Sequence, residues 1–87
     1  MSAIKTADEI KTWLVRHIAG TLELPPDEID PEATFDSLGL DSVAVVSVVG
    51  EFEHWLGAEV DPALPYEHPS IAKLSEAISR NLAGGSS

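Results

Sequence analysis

An all-α fold is predicted for this 87-residue chain, a small bundle of three long helices plus one short helix, with a long first loop. Three observations predict it. Apolar residues recur at helical spacing in three separate segments. Each of those segments opens on a side chain able to cap a helix. The prolines, at 25, 26, 31, 62, 65 and 69, all fall between the segments.

Residues 6–19 read as the first helix. Thr6-Ala7-Asp8-Glu9 matches a capping box, with Thr6 as N-cap and Glu9 reaching back. Ile10, Trp13, Leu14 and Ile18 make one apolar stripe. Arg16 and His17 fall in the expected last turn, where positive charge suits the helix dipole. Gly20 is the expected stop.

Residues 21–41 read as a long connection, because Pro25-Pro26 and Pro31 exclude a continuous helix. Leu22, Leu24, Ile29, Phe35, Leu38 and Leu40 would pin it across the core. It is therefore expected to be a packed, functional loop, with Gly39 in a tight turn at its end.

Residues 42–56 pose a conflict. The run from Val43 to Val49 is rich in β-branched residues, and propensity alone favours a strand. Yet Val45, Val49, Phe52 and Leu56 follow helical spacing, with Val48 and Trp55 beside them. Asp41 and Ser42 supply an N-cap and Gly57 a stop, while a lone strand would have no partner. A helix is the better reading. Val43, Val46, Ser47, Gly50 and His54 lie off its core stripe, so this helix is either deeply buried or offers a partner surface. Gly50 costs about 1 kcal/mol relative to Ala there, and either allows close backbone approach or is tolerated drift.

Residues 58–69 form a second loop, with one short helical turn within Leu64 to His68. Residues 70–83 read as the last helix, with Ser70 as N-cap and Ile71, Leu74, Ile78 and Leu82 on its apolar face. Residues 1–83 make one domain, and Gly84 to Ser87 a flexible tail or the start of a linker.

Fifteen acids and five basic residues leave a net charge of −10. No Lys or Arg lies between His17 and Ala72, a stretch holding twelve of the acids. Such a field excludes nucleic acid, which needs a basic face. It fits docking onto basic patches of partner proteins better than mere solubility, because solubility needs no one-sided placement. No apolar run approaches the roughly 18 residues of a membrane span. No charged-then-apolar leader follows Met1, so no secretion signal is expected. The absence of Cys removes disulfides, thiolate metal sites and cysteine nucleophiles, and suits a cytoplasmic protein. A monomer is expected.

Catalytic readings find little support. His17, His54 and His68 lie in three different elements, and the residues around Ser42 lack the glycines of a nucleophile elbow. Asp30, Glu32 and Asp36 lack the central glycine of a calcium loop, so no metal site is expected. No enzymatic activity is expected. One feature remains, Leu38-Gly39-Leu40-Asp41-Ser42-Val43. Asp-Ser before an apolar run is ordinary helix capping. A helix N-terminus also stabilises an attached phosphate, and a serine there is well placed for modification.

Phe35-Asp36-Ser37-Leu38-Gly39-Leu40-Asp41-Ser42-Val43 resembles the phosphopantetheine attachment signature of acyl carrier proteins, in which Leu is commoner than Val after the serine. Glu51 to Gly57 resembles the end of that family's second helix, and Tyr66 to Ile71 the approach to its last. The likeness runs from about Ile4 to Leu82 and implies an acyl-carrier-like bundle. It implies that a phosphopantetheinyl transferase moves 4'-phosphopantetheine from coenzyme A to the Ser42 hydroxyl, and that acyl groups ride on the arm as thioesters. Asp41 matches the acid before the serine and would assist transferase docking and magnesium-dependent transfer. Leu40, Val43, Val46 and Ser47 would form the contact patch, with Glu51 and Glu53 adding charge contacts to an acyl-loading enzyme, ketosynthase or other synthase domain with a basic docking patch. The apolar Val43-Ala44-Val45-Val46 departs from fatty-acid-synthase carriers, and Leu40 departs from peptidyl carriers, so the likeness favours a polyketide-synthase type. The competing class is an acidic helical adaptor with no prosthetic group, in which Ser42 is only a cap.

Overall fold

The structure, a computed structural model, describes residues 6–83, with side chains through Asn81. The expected tail at 84–87 and the side chain of Leu82 lie outside the described residues. Helix α1 spans Ala7–Leu22 and opens on the expected capping box. Thr6 Oγ1 accepts from the Glu9 N–H at 3.1 Å, and Glu9 Oε1 accepts from the Thr6 N–H at 2.9 Å. Ile10, Leu14 and Ile18 are buried as expected, and Ala19 joins them.

The helix does not stop at Gly20. It continues to Leu22, whose side chain packs against the core and anchors the extra turn. Arg16 and His17 therefore sit inside the helix, and its last turn holds no basic residue. The chain leaves through Glu23 in the left-handed region, with φ 59°. Glu23 N–H bonds to the Gly20 carbonyl at 3.2 Å and Leu24 N–H to the Ala19 carbonyl at 2.9 Å, the paired bonds of a Schellman turn. Glycine is the residue that conformation favours. Glu23→Gly is expected to raise stability by about 0.5–1 kcal/mol; chemical denaturation checks it through a higher midpoint at unchanged slope.

The connection that follows is packed, as expected. A 3₁₀ turn at Pro26–Glu28, not anticipated, starts it. Ile29, Phe35 and Leu40 are buried, Leu22 and Leu38 are partly so, and Leu24 is exposed instead. Its end is tied to the start of the last helix. Phe35 N–H bonds to the Pro69 carbonyl and Ala72 N–H to the Pro31 carbonyl, each at 2.9 Å. An isolated antiparallel bridge pairs Thr34 with Ser70.

Helix α2 spans Ser42–Leu56, so periodicity prevails over β propensity. Its buried stripe is centred on Val48 and Phe52, with Val45, Val49 and Leu56 half-buried beside them. The rim residue Trp55 stacks on Trp13 of α1, ring centroids 5.4 Å apart, and Trp13 also stacks on His17 at 4.7 Å. Phe52 meets the Trp13 ring edge-on at 5.5 Å. Gly57 closes α2 with φ 78°, as a glycine stop should.

The short helix α3, Leu64–Glu67, realises the expected turn. Helix α4, Ile71–Ala83, packs against α1. Ile71, Leu74 and Ile78 enter the core, and the buried Ser75 hydroxyl is satisfied by donating to the Ile71 carbonyl at 2.7 Å. Ser70 Oγ accepts from the Lys73 N–H at 3.3 Å, consistent with the expected cap. The described residues form no strand, and none of their helices is long and apolar enough to cross a membrane.

Candidate functional site

The tie between the first loop and α4 places residues 34–41 beside Pro69. Thr34 Oγ1 accepts from the Ser37 N–H at 3.1 Å, and Leu38 N–H bonds back to Thr34 and Phe35 carbonyls. Gly39 then takes φ 90°, a conformation that side chains rarely adopt, and Leu40 N–H returns to the Phe35 carbonyl at 2.9 Å. This closed turn delivers Asp41 and Ser42 to the start of α2.

The two residues divide the work there. Asp41 is the N-cap, and its Oδ1 accepts from the Ala44 N–H at 2.8 Å. Ser42 is the first helical residue and is exposed. Among the described residues nothing hydrogen-bonds its hydroxyl. The first bond within the helix runs from the Val45 N–H to the Asp41 carbonyl, so the Ser42 and Val43 amides have no acceptor inside the helix. An exposed hydroxyl thus stands at the positive end of a fifteen-residue helix dipole.

Beside Ser42 lies a hollow of about 360 Å³, lined by Phe35, Leu40, Val45, Pro65, Tyr66 and Pro69 among others. Past Val45, Pro65 and Tyr66 a second groove of about 450 Å³ runs between α2 and the segment before α3. Tyr66, Pro65 and Pro69 join the site through the fold, and nothing in their local sequence announces that role.

The expected contact residues do not all lie on the surface. Val43 and Val46 do, at 76% and 60% exposure, and so do Asp41, Ser47 and Glu51. Leu40 does not. It is 5% exposed, packed in the core after the turn at Gly39, and it meets the site only as part of the lining of the hollow beside Ser42. Glu53 is half-buried, and its Oε2 accepts from the Val60 N–H at 2.6 Å. Gly50 opens onto the groove, and a Cβ built there meets nothing within 4 Å, so the glycine does not serve close backbone packing. None of His17, His54 and His68 lines the hollow beside Ser42, and no group of three metal-ligating side chains occurs among the described residues.

A family model described as the phosphopantetheine attachment site matches residues 12–78. The chain belongs to that family. It is a carrier whose prosthetic group is 4'-phosphopantetheine. The acyl carrier protein TtuC of Teredinibacter turnerae is 36% identical over 73 residues, 84% of each chain. A phenolphthiocerol/phthiocerol polyketide synthase subunit of Mycobacterium tuberculosis is 29% identical over 83 residues, which is 95% of this carrier and 4% of that protein. The carrier thus spans only a small part of such synthases. Among solved structures, an acyl carrier protein from Anabaena with a variant phosphopantetheinylation-site sequence superposes with TM-score 0.81 at 34% identity, covering 92% of this chain and 93% of that one. A free-standing peptidyl carrier protein from Acinetobacter baumannii gives TM-score 0.80 at 30% identity, covering 88% and 96%. The fold expected from the attachment-signature likeness is therefore the fold found.

Proposed function

We propose that this carrier holds acyl intermediates as thioesters on a phosphopantetheine arm joined to Ser42, and presents them to enzymes of a polyketide-type assembly line. The observation that carries the assignment of Ser42 is the division of labour at the start of α2. Asp41 already caps the helix, so the serine is not needed for capping and its hydroxyl is left exposed. The surroundings fit the group. The helix dipole and the Ser42 and Val43 amides would stabilise its phosphodiester, and the hollow lined by Tyr66 and Pro69 gives the arm a surface to lie along. The arm supplies a thiol that exchanges acyl groups.

In the loading step a bond forms from Ser42 Oγ to the pantetheine-bearing phosphorus as the pyrophosphate bond of coenzyme A breaks. The hydroxyl proton passes to a base on the transferase, and adenosine bisphosphate leaves. The chain's own contribution is to hold the serine at a fixed place and to be recognised. Val43 and Val46 supply an apolar contact patch, with Ser47 beside it and Asp41 and Glu51 flanking it. Their charges suit a transferase, acyl-loading enzyme or ketosynthase with a basic docking surface.

Intact mass after incubation with coenzyme A, magnesium and a broad-specificity transferase tests the reading. One added phosphopantetheine supports it. No addition, with a control carrier modified in the same tube, moves the weight to the acidic adaptor. Val46→Lys tests the patch. It places a cation where a basic partner would sit, at a solvent-facing helix position that lysine tolerates. Transferase KM is expected to rise about tenfold with kcat little changed.

A further inference from the structure

Glu53 was expected to serve as a docking charge. Its geometry gives it other work. The carboxylate reaches across from the last turn of α2 and accepts the Val60 N–H at 2.6 Å, seven residues on. Val60 itself is buried, so the bond and the side chain pin the segment after Gly57 at one point. That segment is a wall of the 450 Å³ groove, whose opposite wall is α2 itself. Pro65 and Tyr66 close the groove and also line the hollow beside Ser42. A shift of the strap at Val60 therefore moves the surface next to the serine.

We infer that Glu53 is a positioning residue, whose carboxylate acts as a hydrogen-bond acceptor that straps residues 58–63 to α2 and so shapes the face on which Ser42 is presented. Its charge is not what partners read. Glu51, two residues earlier and exposed, keeps that part. The effect on loading rests on the carrier reading, whereas the strap itself does not.

Two near-isosteric substitutions separate acceptor from charge. Glu53→Gln keeps the length and an acceptor oxygen but loses the charge. Glu53→Asp keeps the charge but withdraws the oxygen by one methylene. Amide hydrogen exchange at Val60 is measured in both, with Leu74 as an internal reference in the core, followed by kcat and KM for phosphopantetheinylation. The strap predicts about tenfold faster Val60 exchange and an about tenfold higher KM in the Asp variant, at the lower end of what a hydrogen bond to a charged group contributes. The Gln variant stays within about threefold of the parent in both, since its bond is neutral but present. Loss of loading in Gln with retention in Asp would overturn the inference and return Glu53 to docking. So would Val60 exchange that neither substitution alters. If the parent itself gains no phosphopantetheine, the carrier reading fails, and the exchange contrast still judges the strap.

Discussion

Ser42→Ala is expected to abolish the gain of one phosphopantetheine in intact mass while leaving the folded state in place. The chemical half follows from the missing oxygen, since no other hydroxyl stands at the start of α2. Ser47 is five residues further on, outside the first turn and away from the amides that would hold the phosphodiester. The stability half follows from who caps the helix. Asp41 Oδ1 holds the Ala44 amide, so removing the neighbouring hydroxyl takes no hydrogen bond from the fold. The expected change is within about 0.5 kcal/mol, as for a surface substitution, and thermal melting of the unmodified proteins measures it. A variant that still gained the full mass would place the arm elsewhere. A variant that unfolded would make Ser42 a structural residue and revive the adaptor.

Phe52→Ala is expected to produce the largest loss of stability of any single substitution considered. The ring is 1% exposed and lies where α2 meets α1, edge-on to Trp13. Its removal deletes transfer energy and leaves a cavity that two rigid helices close poorly. The cost is about 3–5 kcal/mol. A domain of this size holds roughly 4–13 kcal/mol in all, so the variant sits close to its unfolding threshold. Its melting temperature should fall by roughly 15 °C or more. Tryptophan emission should shift at the same time, because Trp13 and Trp55 lose the ring they both contact. A change of under about 1 kcal/mol would mean that the α1–α2 contact is not a core contact.

The helices were legible because their signals are local. The Thr6 capping box and the Asp41 cap rest on side chains within three residues, the Gly57 stop on a left-handed glycine four residues from its acceptor, and each is realised. The valine run could be read as helix because its periodicity reached to Phe52 and Leu56, beyond the reach of single-residue propensity. What the sequence leaves illegible is what tertiary contact decides. Gly20 permits a stop but does not impose one, and the packing of the half-buried Leu22 against the core carries the helix past it. Leu40 lies beside the serine in sequence, yet the left-handed Gly39 turns its side chain inward. Glu53 is acidic and on the expected face, but its partner is a backbone amide in another segment. In the proposed site, Ser42 is put forward from its motif, and the structure leaves its hydroxyl exposed at the start of α2. Tyr66 and Pro69 reach it only through pairings that span α2 and α3.

Those pairings have a consequence for the order of events during synthesis. The loop that leads into Ser42 is held by a hydrogen bond from Phe35 to Pro69 and one from Ala72 to Pro31, and Pro69 and Ala72 emerge from the ribosome only after all of α2 and α3. Closing so long a loop costs entropy before the contacts that repay it form, so the turn is expected to assemble after the local helices. The serine is translated in the middle of the chain but reaches its finished surroundings only when the start of α4 is available. On the reading proposed for Ser42, loading by an enzyme that reads the folded face would then be a check on completion, since an unfinished chain would carry the hydroxyl without its finished surroundings.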